Sequence, residues 1–541
     1  MLQYKIAFAE KKSAARRTKR RNHMETNFLT IVVFVVYALM LLAIGIYSYK
    51  KSRSMSDYFL GGRSLGPWTT AISAQASDMS GWLLMGLPGA ILVSGLTESW
   101  IAIGLFFGTY LNWKLVAARL RKMSYAAGDA ITIPEYFQKR FFTESPVVRL
   151  VCAVIIFVFF LLYTASAFSA GAKLFNFVFG TDYMVSLTIG ALIIISYTFL
   201  GGFFAVCWTD MIQGILMFLA LIVVPFVALC NMPNLSAVEF PVADVNGFIV
   251  EYYTSFIQNQ DGSFAWQTIL SGLAWGLGYF GMPHILVRFM AIKSSDLIKK
   301  SRIIAVIWVA VTLVAAVLVG IIGYMYLNYP NDANAELLAK FSALGDAEKI
   351  FMFLSSTLLP ALLAGVILSA ILAAIMSTAD SQLLVTASAV TNDMFKLFKK
   401  DASDKAQMWV SRGAVIGISV IAYFLAMDPN STVMGLVSYA WAGLGAAFGP
   451  AMLLSLFWKR MTIWGAVAGA AVGGASVIIW ESVPVLSGTG VYSLLPAFAL
   501  ALVAVVGVSL CTKVDKDKVE ALFRKADATD IDKVESMLEK A

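Results

Sequence analysis

An aspartate stands in the middle of an apolar stretch long enough to cross a bilayer. The stretch 73–90 reads SAQASDMSGWLLMGLPGA, with Asp78 at its centre and Ser80-Gly81 just after it. A carboxylate at that depth costs about 2.5–3.5 kcal/mol on insertion scales, so it faces a cavity or a partner rather than lipid. Ser-Gly is poor helix material, and Gly86, Pro88 and Gly89 weaken the same segment. A broken helix frees carbonyls that lipid does not tolerate but that an ion in a cavity satisfies. Asp78–Trp82 therefore reads as the hinge and binding point of a transporter.

A second interrupted stretch, 275–283 (WGLGYFGMP), carries Gly276, Gly278, Gly281 and Pro283. Taken alone, it is explained equally well by helices packing through glycine. Trp275 and Tyr279 lie one turn apart on one face, and aromatic walls beside unpaired backbone groups suit a small zwitterion with an apolar body. Two such interruptions, five spans apart, shift the balance. Corresponding Gly/Pro breaks in two halves of a chain are the sequence pointer to a secondary transporter's site. The third stretch is 369–382, SAILAAIMSTADSQ. A lone intramembrane hydroxyl usually bonds back to the preceding turn. Adjacent Ser377 and Thr378, close to small Ala374, can instead offer neutral oxygens to a hard cation.

These residues must be held by helices. The chain has 541 residues, 59% of them hydrophobic and only 14% charged, with a mean hydropathy of +0.77. Those values describe an all-α polytopic membrane protein and exclude a soluble globular class. Thirteen apolar segments are expected, at 28–49, 68–93, 98–118, 148–178, 182–200, 206–230, 266–290, 302–327, 355–391, 408–426, 432–457, 462–480 and 490–511. The ninth, the longest, is expected to kink or to carry a flanking helix near Pro360. The eleventh contains YAWAGLGAAFGP (439–450), rich in the small residues that close helix packing in lipid requires.

The formal net charge of +8 does not point to nucleic acid, because the Lys and Arg residues sit mainly in loops and tails. Basic residues crowd alternate connections, whereas the connection 231–265 holds Glu239, Asp244, Glu251 and Asp261 and no Lys or Arg. The positive-inside rule then puts the C-terminus in the cytoplasm and residue 27 outside. The basic tail 1–23 violates the pattern and lacks the apolar core of a signal peptide. Met24 is read as the start, with 1–23 as a non-native extension. The body is 24–511, and 512–541 is a cytoplasmic tail with Val519, Leu522 and Phe523, then Val534, Met537 and Leu538, at helical spacing. The four cysteines (Cys152, Cys207, Cys230, Cys511) have neither metal spacing nor a disulfide framework. With two histidines in the chain, no histidine-based metal or catalytic cluster is expected, and no motif supports an enzyme.

Seven stretches carry a family resemblance: SDYFLGGRSLGPW (56–68), ASDMSGWLLMGLPGA (76–90), ESWIAIGL (98–105), YTFLGGFFAVCWTDMIQ (197–213), WGLGYFGMPHILVRFMA (275–291), LSAILAAIMST (368–378) and GLVSYAWAGLGAAFGP (435–450). Together they resemble the sodium:solute symporter family over roughly 24–511. The resemblance implies thirteen helices, with helices 2–6 and 7–11 as inverted five-helix repeats of the LeuT type. It also implies a bacterial inner-membrane protein, working as a monomer, that imports L-proline with Na⁺ and uses no organic cofactor. By resemblance, Na⁺ is held by the carbonyls of Ala76, Met79 and Ala374 and the hydroxyls of Ser377 and Thr378. Asp78 and Asp210 are Na⁺-linked, Asp210 as an aspartate near a helix end. A solvated helix-end charge is its alternative reading. Ser80, Gly81, Trp82, Tyr163, Trp275, Tyr279 and Pro283 are on the substrate side. Met282 departs from the family's GQPH pattern and leaves room for a different substrate preference. His284 and Arg288 are expected to be gating or interfacial. Two alternatives stay open: a Na⁺-coupled symporter of another small solute (pantothenate, another amino acid or a sugar), and a membrane sensor built on a transporter body. A channel is disfavoured, because paired broken helices suit an occluding site better than a pore.

Overall fold

A computed structural model of the chain describes residues 28–46, 55–200, 202–235, 252–330, 332–399 and 401–528. The tail 1–23, the acidic residues Glu239, Asp244 and Glu251, and Val534, Met537 and Leu538 lie outside the described residues. The described chain is helical, with only isolated bridges of extended backbone. Ten of its helices are long and apolar enough to cross a membrane, or eleven when one bent pair counts as a single span. Thirteen is not reached by that measure.

In chain order the helices are α1 (Phe28–Ile46), the bent pair α2 (Pro67–Asp78) and α3 (Trp82–Ser94), α4 (Leu96–Ala126), α5 (Ile133–Arg140), α6 (Val147–Phe179), α7 (Tyr183–Leu200) and α8 (Phe203–Cys230). Next come α9 (Trp266–Ala274), a 3₁₀ segment (Trp275–Gly281), α10 (Pro283–Ala291) and α11 (Ser295–Leu327). Then follow α12 (Ala361–Phe398), α13 (Asp404–Leu425), α14 (Val433–Phe457), α15 (Ile463–Ser482), α16 (Leu494–Cys511) and α17 (Lys516–Asp527). The expected flanking helix near Pro360 is present as Ile350–Leu358, with Pro360 as the N-cap of α12.

Helix ends follow local chemistry. Side-chain oxygens of Ser403, Thr432 and Thr462 accept backbone N–H groups at the starts of α13, α14 and α15. Gly180, at φ 63°, ends α6 in the left-handed conformation that suits glycine.

The centre belongs to α12 and α14. Their most apolar windows are 78% and 83% buried, against 28% in α1 and α16, so the latter two lie on the outside of the bundle. Small residues make the central packing possible. A Cβ on Gly445 would fall 2.7 Å from the Gly278 Cα, which brings α14 backbone onto the 3₁₀ segment.

Two polar clusters tie the bundle at opposite ends. Glu348 accepts the Lys173 ammonium at 2.6 Å and the backbone N–H groups of Val433 and Met434 at 3.0 Å each, so one buried carboxylate caps α14 and pairs with α6. At the other end the buried Arg121 guanidinium donates to the Ile292 and Lys293 carbonyls. There too α17 docks through Val519, Leu522 and Phe523. Its Phe523 ring meets Arg119, Arg140 and Lys459 within 6 Å.

Candidate functional site

The first break lies where the sequence places it. α2 ends at Asp78, the chain turns through Met79 (φ −81°, ψ 71°) and Ser80, and α3 leaves at 60° to α2. Its first turn, Trp82–Gly86, is wound as a π-helix. Gly81 is the tight point. A Cβ there would stand 3.0 Å from the Ala170 methyl of α6 and 3.4 Å from Ile375 of α12.

On one side of the break, the Ser377 hydroxyl of α12 lies 2.8 Å from the Ala76 carbonyl and 3.2 Å from the Ala374 carbonyl. The bond back along its own helix and the bond across the bundle thus coexist. Thr378 is turned about a hundred degrees from Ser377 by the helix. Its Oγ1 is buried and makes no hydrogen bond among the described residues. Such an orphan needs a partner, because an unsatisfied buried hydroxyl costs about 1–3 kcal/mol. Met79, wholly buried, sits at the turn itself.

On the other side, the Tyr279 hydroxyl donates to Asp78 Oδ2 at 2.5 Å, and Asp78 Oδ1 has no hydrogen-bond partner among the described residues. The Asp78 main-chain carbonyl accepts the Trp82 indole N–H at 3.3 Å and the Tyr163 hydroxyl at 3.5 Å. Ser80 Oγ turns inward onto the Trp82 amide at 3.4 Å. One residue thus gathers α2, α3, α6 and the second break.

That second break is a full 3₁₀ segment followed by extended Met282 (φ −80°, ψ 105°), with Pro283 at the first position of α10, where its missing N–H costs nothing. Met282 is fully buried, and its carbonyl accepts from Ile285 and Leu286. Trp275 faces Trp82, ring centroids 6.1 Å apart. Two further aromatic residues complete the wall, and the sequence reading passed over both. Trp441 of α14 stacks on Trp275 at 6.4 Å and meets Tyr279 edge-on at 5.1 Å, and Tyr492, just before α16, stacks on Trp275 at 5.1 Å. Trp441 left a faint signal, a lone indole inside YAWAGLG. Tyr492 left none.

Asp210 does not join this group. It lies two turns into α8, wholly buried, and its carboxylate accepts Arg288 at 2.8 Å and Ser73 at 2.7 Å. Arg288 also donates to Ser73 and Ser381, drawing α2, α8, α10 and α12 together. The solvated helix-end reading of Asp210 is therefore set aside. Arg288 and His284 are buried as well, rather than interfacial, and both His284 nitrogens lack partners among the described residues. Ser73, Ser381 and neighbouring Asp380, which accepts the Thr198 hydroxyl, were not singled out from the sequence. A hydroxyl or carboxylate inside a helix does not announce its partner on another helix.

Comparison with known proteins places this arrangement. An osmoregulated proline transporter of Bacillus subtilis is 46% identical over 487 residues, which cover 89% of this chain and 95% of that protein. A sodium/proline symporter of Escherichia coli is 44% identical over 505 residues, covering 92% and 96%. Among solved structures, a Na⁺-coupled sialic acid symporter in a substrate-bound outward-open state matches with TM-score 0.73 at 20% identity, over 90% of this chain and 98% of that one. The nucleobase-cation-symport-1 transporter Mhp1 matches with TM-score 0.50 at 13% identity, over 86% and 98%. At such identities these two show the fold alone, and it is the LeuT fold that the resemblance implied. The family model for sodium:solute symporters matches residues 58–473. On the matched span and the identity to its relatives, the chain belongs to the sodium:solute symporter family.

Proposed function

We propose that the protein imports L-proline together with Na⁺ by alternating access. The observation that carries this reading is the shared break at Asp78: Ala76 is bonded to Ser377 of α12, and two residues on Asp78 is bonded to Tyr279, Trp82 and Tyr163. The carbonyls of Ala76, Met79 and Ala374 and the hydroxyls of Ser377 and Thr378 are the oxygens offered to Na⁺. They are neutral and hard, as such a cation prefers, and the orphaned Thr378 hydroxyl fits a ligand's role. An ion held there pins the end of α2 to α12. That in turn fixes Asp78 and, through it, the ring positions of Tyr279, Tyr163 and Trp82. Sodium thus favours the conformation that binds proline, and by linkage proline raises sodium affinity equally.

On the substrate side, Ser80, Gly81, Trp82, Tyr163, Trp275, Tyr279 and Pro283 surround the break. Aromatic faces suit the pyrrolidine ring, and free backbone groups suit the zwitterion. Asp210, locked to Arg288, acts on sodium dependence from outside this set by holding α8 and α10 against α2. Inward movement of each positive charge releases about 2.3 kcal/mol per 100 mV, which adds to the sodium gradient.

In this reading α7 and the broken Trp266–Ala291 segment are also spans, giving thirteen, with inverted repeats over spans 2–6 and 7–11. The body is 24–511, residue 27 faces outward and the tail 512–541 is cytoplasmic. The protein works as a monomer in a bacterial inner membrane, without an organic cofactor or nucleic acid.

Proline as the substrate is supported by the likeness to a proline transporter and a sodium/proline symporter at 44–46% identity. Met282, buried at the second break, is the feature that favours testing another solute. Labelled proline uptake into proteoliposomes decides the matter. Uptake should need an inward sodium gradient and should be competed best by unlabelled proline within a panel of amino acids, sugars and pantothenate. Gradient-independent uptake, or stronger competition by another solute, overturns the assignment.

A further inference from the structure

We infer that Tyr492 is a positioning residue for the solute site: it acts through Trp275, so that a residue at the head of α16 sets the protein's affinity for its solute. The inference rests on the proposed transport of proline, and it adds an element that lies outside the spans expected to form the repeats.

Tyr492 stacks on Trp275 with ring planes 21° apart, closer to parallel than Trp441 or Trp82 on the same indole. It is anchored at both ends. Its hydroxyl donates to the Ser438 carbonyl at 2.6 Å, and its backbone N–H donates to Ser271 Oγ at 2.9 Å. Ser438 is three residues before Trp441 on α14, and Ser271, on α9, is one turn before Trp275 at the start of the 3₁₀ segment. Tyr492 is therefore fastened to both segments whose indoles it must keep in register.

The opposite contact is equally built. The Trp441 indole N–H donates to the Trp275 carbonyl at 2.8 Å, at the head of the 3₁₀ segment. A Cβ on Gly278 would fall 2.0 Å from Trp441 Nε1, so the indole lies directly on bare backbone. Trp275 is thus held through its backbone by Trp441 and through its ring by Tyr492. Its ring also faces Trp82, across from which the solute is expected. An indole pre-set in its binding orientation spares the ordering cost that a free side chain incurs on binding.

The perturbation is Tyr492→Ala in the full chain, with Tyr492→Leu as a second variant that fills the volume without an aromatic face. Both are reconstituted in proteoliposomes beside the wild type, Trp275→Ala and Trp275→Ala/Tyr492→Ala. Loss of one aromatic pair should raise the proline concentration for half-maximal uptake about two- to tenfold, with the maximal rate and the sodium dependence at saturating proline retained. On the Trp275→Ala background, Tyr492→Ala should add no further loss, because a residue acting through Trp275 has nothing left to act on. The inference is overturned if both Tyr492 variants keep wild-type half-saturation. It is also overturned if the losses add, or if rate and sodium dependence fall in step with proline affinity, as a general packing defect would cause. Failure of the proline reading looks different: the wild type itself takes up no labelled proline. The same cycle is then run with the solute that the competition panel identifies.

Discussion

Replacing Thr378 by valine removes one hydroxyl and keeps the branched shape of the side chain. The two adjacent hydroxyls of α12 are not equivalent in this structure, and the difference sets the expected magnitudes. Ser377 Oγ donates to the Ala76 carbonyl at 2.8 Å, so a cation bound by that oxygen replaces a protein hydrogen bond. Thr378 Oγ1 has no hydrogen bond to give up among the described residues. A contact from a neutral oxygen to a charge is worth about 1.5–3 kcal/mol, and an ordinary hydrogen bond about 1 kcal/mol. Thr378→Val should then lose the whole contact and raise the sodium concentration for half-maximal proline uptake about ten- to a hundredfold. Ser377→Ala loses the contact but also the bond that competed with it, leaving about 0.5–2 kcal/mol, or a rise of about two- to thirtyfold. Thermal stability should separate the pair in the opposite sense. Thr378→Val removes an unsatisfied buried hydroxyl and should unfold no earlier than the wild type. Ser377→Ala severs a tie between α2 and α12 and should unfold earlier. The assay is uptake against sodium concentration at fixed proline, repeated at saturating sodium, where apparent proline affinity should recover. Equal sodium dependence in wild type and Thr378→Val, with both well inserted, would refute the reasoning and send the search for the ion back to Asp78.

Three other perturbations follow from the geometry. Gly278→Ala drives a methyl into the Trp441 indole at 2.0 Å, so proline half-saturation in uptake assays should rise more than about tenfold while membrane insertion persists. Arg288→Ala strands the buried Asp210 carboxylate and should destabilise the protein by about 3–5 kcal/mol, read as a lower Tm in detergent; Arg288→Met combined with Asp210→Asn should recover most of it, because the costly species is the unpaired charge. Glu348→Ala leaves the Val433 and Met434 amides of α14 without their acceptor and removes one partner of Lys173. Since Asp346 still pairs with Lys173 at 3.0 Å, the loss should fall below that of Arg288→Ala, and Glu348→Gln, which keeps an acceptor for the α14 amides, should lie between Glu348→Ala and wild type.

What could be read from the sequence was whatever violates the rules of a membrane helix. Asp78, Ser80-Gly81 and the glycines of 276–281 are each costly in an uninterrupted apolar helix, and the structure has a break at each place. The Ser377-Thr378 pair was legible for a related reason, as adjacent hydroxyls directly after the apolar run 370–376. Trp441 and Tyr492 violate nothing, because aromatic residues are at home in and beside spans. Only the meeting of α14 and the head of α16 over Trp275 gives them a role. Asp210 left two readings open in the sequence, and its burial against Arg288, 78 residues later on a different helix, removes only the solvated one.

The same contrast bears on how coupling works here. The features that sequence exposes are breaks, and a break supplies groups for ligands on both sides of one backbone. From Ala76 to Asp78 the chain advances two residues, about 3 Å along a helix. Within that distance the structure changes from contacts with hydroxyl-bearing α12 to contacts with the aromatic wall. An ion and a solute bound on either side of so short a link cannot be organised independently, because each fixes the same few backbone torsions. With the ion and the solute at the proposed sites, coupling needs no long pathway through side chains. What the proposal requires is one segment, Ala76–Trp82, with two arrangements that both ligands favour unequally.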